Sequence, residues 1–144
     1  MPLRNALRIR PFRPADEDAI IALWRACDLV RPWNDPRKDI ARKRRVNPDG
    51  FLVGEQDGRI VASVMVGYEG HRGWVNYLAV EPMLQRSGVG RALMDEAEKL
   101  LRAAGCPKIN LQVRRGNAAA LAFYERLGFA ADDVVSLGKR LEHD

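Results

Sequence analysis

Cysteine and histidine are scarce in this chain of 144 residues, which has two of each: Cys27 and Cys106, and His71 and His143. The cysteines lie far apart and show no metal-ligand spacing, so we expect two free thiols and no metal site. A covalent relay through an acyl-cysteine would need a base beside the thiol, and only two histidines are present to supply one. This scarcity disfavours both metal and cysteine chemistry.

Long apolar runs are also missing. No stretch approaches the ~20 apolar residues that cross a bilayer, and the first residues show no signal-peptide pattern. We therefore expect a cytoplasmic protein with no membrane partner.

Aromatic residues make up only 7% of the chain, while the net charge is +5. A basic surface suits either a nucleic acid or a polyanionic small molecule. No interleaving of aromatic and basic side chains suggests a platform for stacking bases. The one tight basic run, Arg42, Lys43, Arg44 and Arg45, is interpreted as the solvated face of a helix. A nucleic-acid-binding module is therefore the least favoured hypothesis, and no nucleic-acid partner is expected.

What the chain does have is an ordinary globular balance of 47% hydrophobic and 30% charged residues. Its length fits one domain over residues 1–144, and a domain of this size buries about 68–70% of the unfolded surface. The patterns predict an α/β fold with a mixed, mostly antiparallel sheet, helices on both faces and the order β-α-α-β-β-β-α-β-α-β-β. The predicted elements are Leu7–Phe12, Pro14–Cys27, Arg37–Val46, Phe51–Glu55, Arg59–Tyr68, Trp74–Val80, Ala92–Ala104, Lys108–Val113, Asn117–Leu127, a strand from Phe129 onward and Val134–Leu141.

The most informative segment is a glycine-rich turn, Gln85 to Arg91, between a predicted strand and a predicted helix. Such a turn presents several backbone N–H groups in one direction, at the positive end of the helix dipole. Gly88 and Gly90 have no Cβ and let the backbone approach a ligand closely, while Arg86 can pair with phosphate oxygens, as can Arg91. The turn therefore predicts a phosphate site. The alternative is a plain strand-to-helix turn in which the glycines only allow the chain to turn tightly.

Two common phosphate loops are excluded. The turn has no Gly-Lys-Ser/Thr, so it supplies neither the lysine nor the hydroxyl of a Walker loop. The run Gly-Val-Gly-Arg-Ala-Leu lacks the third glycine of the dinucleotide fingerprint. A phosphate ligand is therefore expected to be bound in another way.

Three segments resemble the GCN5-related N-acetyltransferase (GNAT) superfamily. Residues 80–94, Val-Glu-Pro-Met-Leu-Gln-Arg-Ser-Gly-Val-Gly-Arg-Ala-Leu-Met, look like the acetyl-CoA pyrophosphate loop, Q/R-x-x-G-x-G/A. Residues 111–117 match a second family segment, and residues 117–129 look like the family's final helix and strand. Shorter matches, among them residues 31–36 and 136–141, are similar to a bacterial branch, the YpeA-type acetyltransferases.

The resemblance implies a GNAT fold and the transfer of an acetyl group from acetyl-CoA to an amine by direct attack in a ternary complex. Acetyl-CoA is then the cosubstrate, no metal is needed, and the acceptor is a small molecule or a protein amine. A homodimer formed by pairing of sheet edges is a further expectation. The alternative is a non-catalytic acyl-CoA-binding sensor on the same fold.

The resemblance also assigns residues to acetyl-CoA, which would lie in a splay between the strands at 74–80 and 108–113. Asn117 would contact its arm, and Tyr124 would protonate the leaving thiolate as a general acid held by position. The alternative for Tyr124 is a core aromatic residue beside Phe123. The backbone of three strand residues would pair with the pantetheine arm, and seven loop residues would bind the pyrophosphate. These are Leu78, Ala79 and Val80, and Gln85, Arg86, Ser87, Gly88, Val89, Gly90 and Arg91.

The general base is less clearly indicated, although an ammonium acceptor must lose a proton before it attacks. In the ribosomal-protein N-terminal acetyltransferases, which this segment otherwise resembles, a glutamate occupies the position of Gln112, and glutamine cannot accept the proton. Glu69, at the end of the second strand of the meander, is the first candidate, with a hairpin-turn residue as its alternative. Asp35 is the second candidate, and Tyr77 acting through a water is the third.

The acceptor pocket is predicted to include Trp33, Asn34, Asp35, Tyr77 and Gln112. Trp33 either lines this pocket or anchors its loop on the first helix. Asn34 and Asp35 lie in a proline-bounded loop, where such residues more often form turns than take part in catalysis.

Overall fold

Five strands form one mixed sheet in the computed structural model, which describes residues 6–144. Their bounds are Arg8–Pro11 (β1), Phe51–Gln56 (β2), Arg59–Tyr68 (β3), Gly73–Val80 (β4) and Ile109–Asn110 (β5). The strands lie side by side in chain order. The first four pair antiparallel, and β5 pairs parallel to β4.

Four α-helices accompany the sheet over the same residues. Their bounds are Glu17–Ala26 (α1), Pro36–Val46 (α2), Val89–Ala103 (α3) and Ala118–Arg126 (α4). In this part of the chain, none of the helices has the length and apolarity needed to cross a bilayer.

The sheet carries a core on each face because successive side chains of a strand point to opposite sides. Phe51 and Val53 of β2 are fully buried in one core with α1 and α2, whereas Leu52 belongs to the other core with α3. Helix α1 adds Ile20 and Trp24 to the first core, as its helical spacing predicts. The arrangement confirms the predicted α/β fold with helices on both faces.

The two predicted closing strands, from Phe129 onward and Val134–Leu141, are wrong. Residues 129–144 contain no helix or strand, and the predicted strand Lys108–Val113 is reduced to the two residues of β5. A strand needs a neighbour along its length to satisfy its backbone groups, and the short β5 offers none. The apolar side chains that gave the strand pattern are between 76% and 90% exposed: Val134, Val135, Leu137 and Leu141.

The basic run of α2 is not a uniformly solvated face. Arg44 and Arg45 are exposed, as predicted, but Arg42 and Lys43 are partly buried. The Nζ of Lys43 donates to the carbonyl of Val66 at 2.6 Å, and burial lowers the pKa of this lysine. The prediction was wrong for the half of the run that faces the sheet.

Candidate active site

Strand β5 covers only the first two residues of β4, so in the described residues the rest of that edge of β4 has no strand partner; we call this open edge the cleft. The pairing of the two strands is limited to Gly73 with Ile109 and Trp74 with Asn110. Beyond Trp74, β4 continues to its end paired with β3 on one side only. Paired strands lie about 4.8 Å apart, so an edge without a strand partner leaves room for an extended ligand along β4.

A β-bulge fixes the course of β4 beside this cleft. The register with β3 shifts between Ser63 and Met65, and Tyr77 has a left-handed backbone with φ of 52°. The hydroxyl of the fully buried Ser63 donates to the Tyr77 carbonyl at 2.8 Å and accepts from the Trp24 indole at 2.9 Å. A left-handed residue other than glycine costs about 1–2 kcal/mol, so these bonds stabilise a strained turn of the strand.

The pairing pattern decides which backbone groups of β4 face the cleft. The N–H of Glu81 donates to the Val61 carbonyl at 2.8 Å, and Ala62 is the partner of Val80 in the ladder. Since hydrogen-bonded and non-bonded pairs alternate in an antiparallel ladder, the N–H of Val80 is turned away from β3 and towards the cleft. The same alternation turns the backbone of Ala79 towards β3.

The glycine-rich turn presents a row of free backbone donors after the end of β4. Arg86 and Gly88 both have positive φ angles, 66° and 92°, so the chain turns sharply before α3. Within residues 6–144, the backbone N–H groups from Arg86 to Arg91 have no protein acceptor. Several of them belong to the first turn of α3, where helix geometry supplies no partner and the dipole is positive. The turn is therefore built to bind an anion.

Side chains of the same turn either hold its shape or add charge. The Gln85 side chain donates to the Val80 carbonyl at 3.2 Å, and the Ser87 hydroxyl donates to the backbone of the preceding turn. Arg86 and Arg91 are exposed, and neither forms an ion pair in the described part of the chain. Their positive charges are available to a ligand at the turn.

Helix α4 reaches the glycine-rich turn through Phe123. A Cβ on Gly90 would lie 3.2 Å from Phe123 Cζ, so glycine at this position lets the ring pack on the first turn of α3. The next residue, Tyr124, is half-buried and lies edge-on to two rings, with centroid distances of 5.1 Å to Phe123 and 5.6 Å to Phe129. Phe123 therefore packs against both the turn and the predicted acid.

The Tyr124 hydroxyl keeps its proton at physiological pH. Burial raises the pKa of Tyr124 to about 12, so the phenol is neutral at physiological pH. No hydrogen bond of this hydroxyl to protein occurs among residues 6–144. A neutral hydroxyl without a protein partner can donate to a departing group placed beside it.

Two other groups beside the cleft have local roles. Asn117 caps α4 by accepting from the Ala120 N–H at 3.1 Å, and its amide NH2 group donates to no group of residues 6–144. The thiol of Cys27 donates to the Val80 carbonyl at 3.2 Å, and burial raises its pKa. A thiol that stays protonated is a poor nucleophile, which argues against an acyl-cysteine relay.

On the α1–α2 side of β4, Tyr77 lies in a polar network. Its ring stacks on Trp24 with centroids 3.8 Å apart, and its hydroxyl donates to Asp39 Oδ2 at 2.7 Å. The Asn34 amide donates to the Tyr77 hydroxyl at 3.3 Å and also to Asp39. Burial and the Asp39 carboxylate raise the pKa of Tyr77, so this phenol also stays neutral. The predicted residues Asn34 and Tyr77 are thus brought together, around a carboxylate.

The other predicted acceptor residues lie around this network rather than in it. Trp33 is 53% exposed, and the Arg114 guanidinium lies 5.8 Å from its ring centroid. Asp35 is the N-cap of α2 and accepts a backbone N–H of the first turn at 2.9 Å, which gives it a structural role. The side chain of Gln112 donates to Ser136.

Glu69 lies in the turn between β3 and β4, at the opposite end of β4 from the glycine-rich turn. Its carboxylate accepts from the backbone N–H groups of Arg72 and His71, the latter at 2.7 Å. These two bonds lower the pKa of Glu69. A carboxylate stabilised in its charged form is a weaker proton acceptor, and its observed contacts close the turn.

Three residues of the polar network around Tyr77 are absent from the sequence prediction: Asp39, Arg42 and Asp144. Arg42 donates to Asp39 Oδ1 at 3.1 Å and to Asp144 Oδ1 at 2.8 Å. The available signal was the spacing of Asp35, Asp39 and Arg42, which places the three about one helical turn apart. Asp144 gave no signal, because it is 102 residues from Arg42 in the chain.

Comparison with known proteins agrees with this geometry. The model of the acetyltransferase (GNAT) family matches residues 18–129. An acetyltransferase of Pectobacterium atrosepticum is 51% identical over 138 residues, which cover 96% of this chain and 98% of the relative.

Solved structures share the fold. Ard1 from Thermoplasma volcanium has a TM-score of 0.74 and 28% identity, covering 87% of this chain and 83% of that one. The PaiA N-acetyltransferase from Thermoplasma acidophilum, solved in complex with coenzyme A, has a TM-score of 0.78 and 20% identity, covering 90% of this chain and 93% of that one. The family match spans most of the chain and the fold agrees with it, so this protein belongs to the GNAT family of acetyltransferases.

Proposed function

We propose that this protein transfers the acetyl group of acetyl-CoA to an amine by direct attack within a ternary complex. The observation that carries the proposal is the row of free N–H groups from Arg86 to Arg91, which follows a strand with an open edge. A pyrophosphate fits the helix N-terminus, and an extended arm fits the strand edge. Membership of an acetyltransferase family supports the same ligand.

The pyrophosphate of acetyl-CoA would be held by the turn at residues 85–91. Its oxygens accept from the free backbone N–H groups, and Arg86 and Arg91 add charge-assisted bonds from the sides. Gln85 and Ser87 stabilise the shape of the turn, because their side chains donate to backbone carbonyls. Gly88 provides the left-handed backbone that the turn needs.

The arm and the thioester would lie along β4. Acetyl-CoA supplies a thioester whose carbonyl carbon is attacked by the amine and whose sulfur departs. Leu78 and Val80 offer backbone groups to the arm. The cleft-facing N–H of Val80 would also stabilise negative charge on the oxygen of the thioester carbonyl during attack. Ala79 supports this edge through its pairing with β3, and the free amide group of Asn117 is available to the arm.

Tyr124 would act as the general acid. Its neutral phenol donates a proton to the sulfur as the bond to the acetyl group breaks. The edge-on rings of Phe123 and Phe129 keep the phenol in place. We place the acceptor amine on the Tyr77 side of β4, where a water hydrogen-bonded to Tyr77 carries its proton to solvent. Glu69 is the weaker candidate for this step because its carboxylate is bound by two backbone N–H groups.

A second candidate function is an acyl-CoA-binding sensor without turnover. The observation that favours it is that neither Gln112 nor Glu69 offers a free carboxylate as a base. Gln112 is an amide bonded to Ser136, and the Glu69 carboxylate is held in its turn. The intact, unbonded hydroxyl of Tyr124 favours the enzyme.

Release of coenzyme A thiol separates the two candidates. The purified protein is incubated with acetyl-CoA and a panel of small amines and peptides, and the thiol is detected colorimetrically. The enzyme predicts thiol release that depends on one class of amine. Binding of acetyl-CoA with no amine-dependent release would establish the sensor instead.

A matched pair of glycine variants tests where acetyl-CoA binds. Gly88 and Gly70 both have positive φ and open space at the Cβ position, but only Gly88 lies in the proposed site. Alanine is strained at the positive φ of position 88, so the turn is expected to relax and lose charge-assisted bonds to the pyrophosphate. Gly88→Ala should therefore weaken acetyl-CoA binding at least about tenfold. Gly70→Ala carries the same strain and should leave the affinity unchanged. Equal affinities in both variants would place the pyrophosphate elsewhere.

A further inference from the structure

The last residues of the chain lie across the acceptor side. The guanidinium of Arg140 donates to Asn34 Oδ1 at 2.7 Å. Two residues further on, Glu142 accepts from Arg42 at 3.1 Å, and Asp144 reaches the start of α2. The segment 140–144 therefore contacts the same polar network as Tyr77.

The side chain of Asp144 fills a pocket that is suited to a carboxylate. Arg42 donates to it through both terminal nitrogens, Nη2 to Oδ1 at 2.8 Å and Nη1 to Oδ2 at 3.3 Å. The backbone N–H of Asp35, at the N-terminus of α2, donates to Oδ2 at 2.9 Å. The side chain is 2% exposed, whereas the residue as a whole is exposed through its backbone. A two-pronged arginine and a helix N-terminus together select a planar anion.

This carboxylate pocket adjoins the place proposed for the amine. Arg42 Nη1 is bonded both to Asp144 and to Asp39 Oδ1, the latter at 3.1 Å. The other oxygen of Asp39 accepts from the Tyr77 hydroxyl. Arg42 Nη1 therefore lies between the carboxylate of Asp144 and that of Asp39. The Asp39 carboxylate and the Tyr77 hydroxyl oxygen can both accept from an ammonium. An amino acid carries a carboxylate and an ammonium on the same carbon, so it offers one group to each of these two places.

We infer that the pocket filled by Asp144 is the carboxylate subsite of the acceptor site, and that the acceptor is an amino acid. Its ammonium binds Asp39 and Tyr77, and its carboxylate displaces the side chain of Asp144 from Arg42. This inference rests on the proposed acetyl transfer and names the class of its acceptor. The segment 140–144 then competes with the acceptor for the same pocket.

Kinetics with paired acceptors test the inference. The twenty amino acids are compared with their carboxamides, which keep the amine and lose the carboxylate. Amino acids are expected to be used and carboxamides to be poor acceptors. Asp144→Asn should lower the KM for amino acids about tenfold with kcat unchanged, because the competing charge is gone. Arg42→Lys keeps the positive charge but loses the pair of guanidinium nitrogens that binds a carboxylate. It should therefore raise the KM for amino acids about tenfold.

Asp132→Asn is the matched control, since Asp132 lies in the same C-terminal stretch but pairs with Lys108. It should leave the KM unchanged. Equal use of carboxamides and amino acids, or an unchanged KM in Asp144→Asn, would overturn the inference while leaving acetyl transfer intact.

A readout without turnover separates this inference from the proposed function. The backbone amide of Asp35 bonds to Asp144 and reports on the pocket in a 15N–1H NMR spectrum. In Asp144→Asn, the most active amino acid, or L-alanine if none is active, should shift this signal, and its carboxamide should not. A signal that responds to neither compound contradicts the subsite. A failure of acetyl-CoA to bind contradicts the proposed function, whatever this signal does.

Discussion

The two sides of the cleft that we propose for the cofactor and for the acceptor are built from different groups. On the cofactor side, the donors are backbone N–H groups of one continuous turn at residues 85–91. On the acceptor side, side chains meet from separate parts of the chain: Asn34, Asp39 and Arg42, then Tyr77, then residues 140–144. Backbone donors are the same whatever the side chain, whereas a side-chain network changes with each substitution. Changes on one side are therefore expected to affect one substrate and spare the other.

The largest effect is expected at Tyr124, the proposed general acid. Tyr124→Phe removes the acid and keeps the ring, so kcat should fall about a thousandfold with the affinity for acetyl-CoA unchanged. Steady-state kinetics and calorimetric titration measure the two quantities. Tyr68→Phe is the matched control, because the Tyr68 hydroxyl bonds only to a turn carbonyl. Turnover that survives in Tyr124→Phe would remove this residue as the acid.

The next largest effect is expected outside both sides, at the buried pair of Arg10 and Asp16. Their side chains are 8% and 9% exposed and are joined by bonds of 2.8 Å and 3.0 Å. Arg10 is also bound to Glu55 at 2.8 Å, so Asp16→Asn leaves the guanidinium with one carboxylate partner instead of two and should lower the free energy of unfolding by about 2 kcal/mol. Asp18→Asn, at an exposed ion pair with Arg37, should change it by less than about 1 kcal/mol. Urea unfolding measures both, and acetyl-CoA affinity should be unchanged in each.

The same pair predicts how stability depends on acid. The bond from Arg10 holds the pKa of Asp16 below its usual value. The folded pKa lies below the unfolded value of about 3.9, so the pair contributes fully above that pH and loses its contribution as the pH falls through the folded pKa. The unfolding free energy of the unsubstituted protein should therefore fall more steeply below about pH 4 than that of Asp16→Asn. Parallel curves of unfolding free energy against pH for the two proteins would show that folding does not lower the pKa of Asp16.

A smaller effect, confined to the acceptor side, is expected at Asp39. Asp39→Asn removes the charge that faces the amine, so the KM for the acceptor should rise about tenfold with the affinity for acetyl-CoA unchanged. Asp49→Asn, in an exposed turn before β2, is the matched control and should change neither quantity. A loss of acetyl-CoA affinity in Asp39→Asn would contradict the independence of the two sides.

The strand, the glycine-rich turn and the helix on the proposed cofactor side could be predicted from the sequence because they are local. The glycines and arginines of residues 85–91 lie within one turn, and the strand and helix that flank it have clear patterns. The capping role of Asn117 and the position of Tyr124 on the last helix also follow from short segments. For such elements, neighbours in the chain are neighbours in space.

The acceptor side could not be predicted in the same way. The pairing of Arg42 with Asp144 joins residues that are far apart in the chain, and no local pattern marks either as a partner of the other. Tyr77 was recognised, but its strained backbone depends on a bond from Ser63 that only the register of β3 provides. The prediction of the closing strands was wrong for a related reason. The alternation of residues 134–141 is a local signal, whereas strand pairing depends on a neighbour from elsewhere in the chain.

Calorimetric titration with acetyl-CoA, with desulfo-CoA and ATP in parallel, tests the central claim most directly. The account predicts a Kd on the order of 10 μM for acetyl-CoA, similar binding of desulfo-CoA and much weaker binding of ATP, because a phosphate chain alone does not use the edge of β4. Absence of binding by both coenzyme A species would contradict the assignment of the turn at residues 85–91 and, with it, the proposed function.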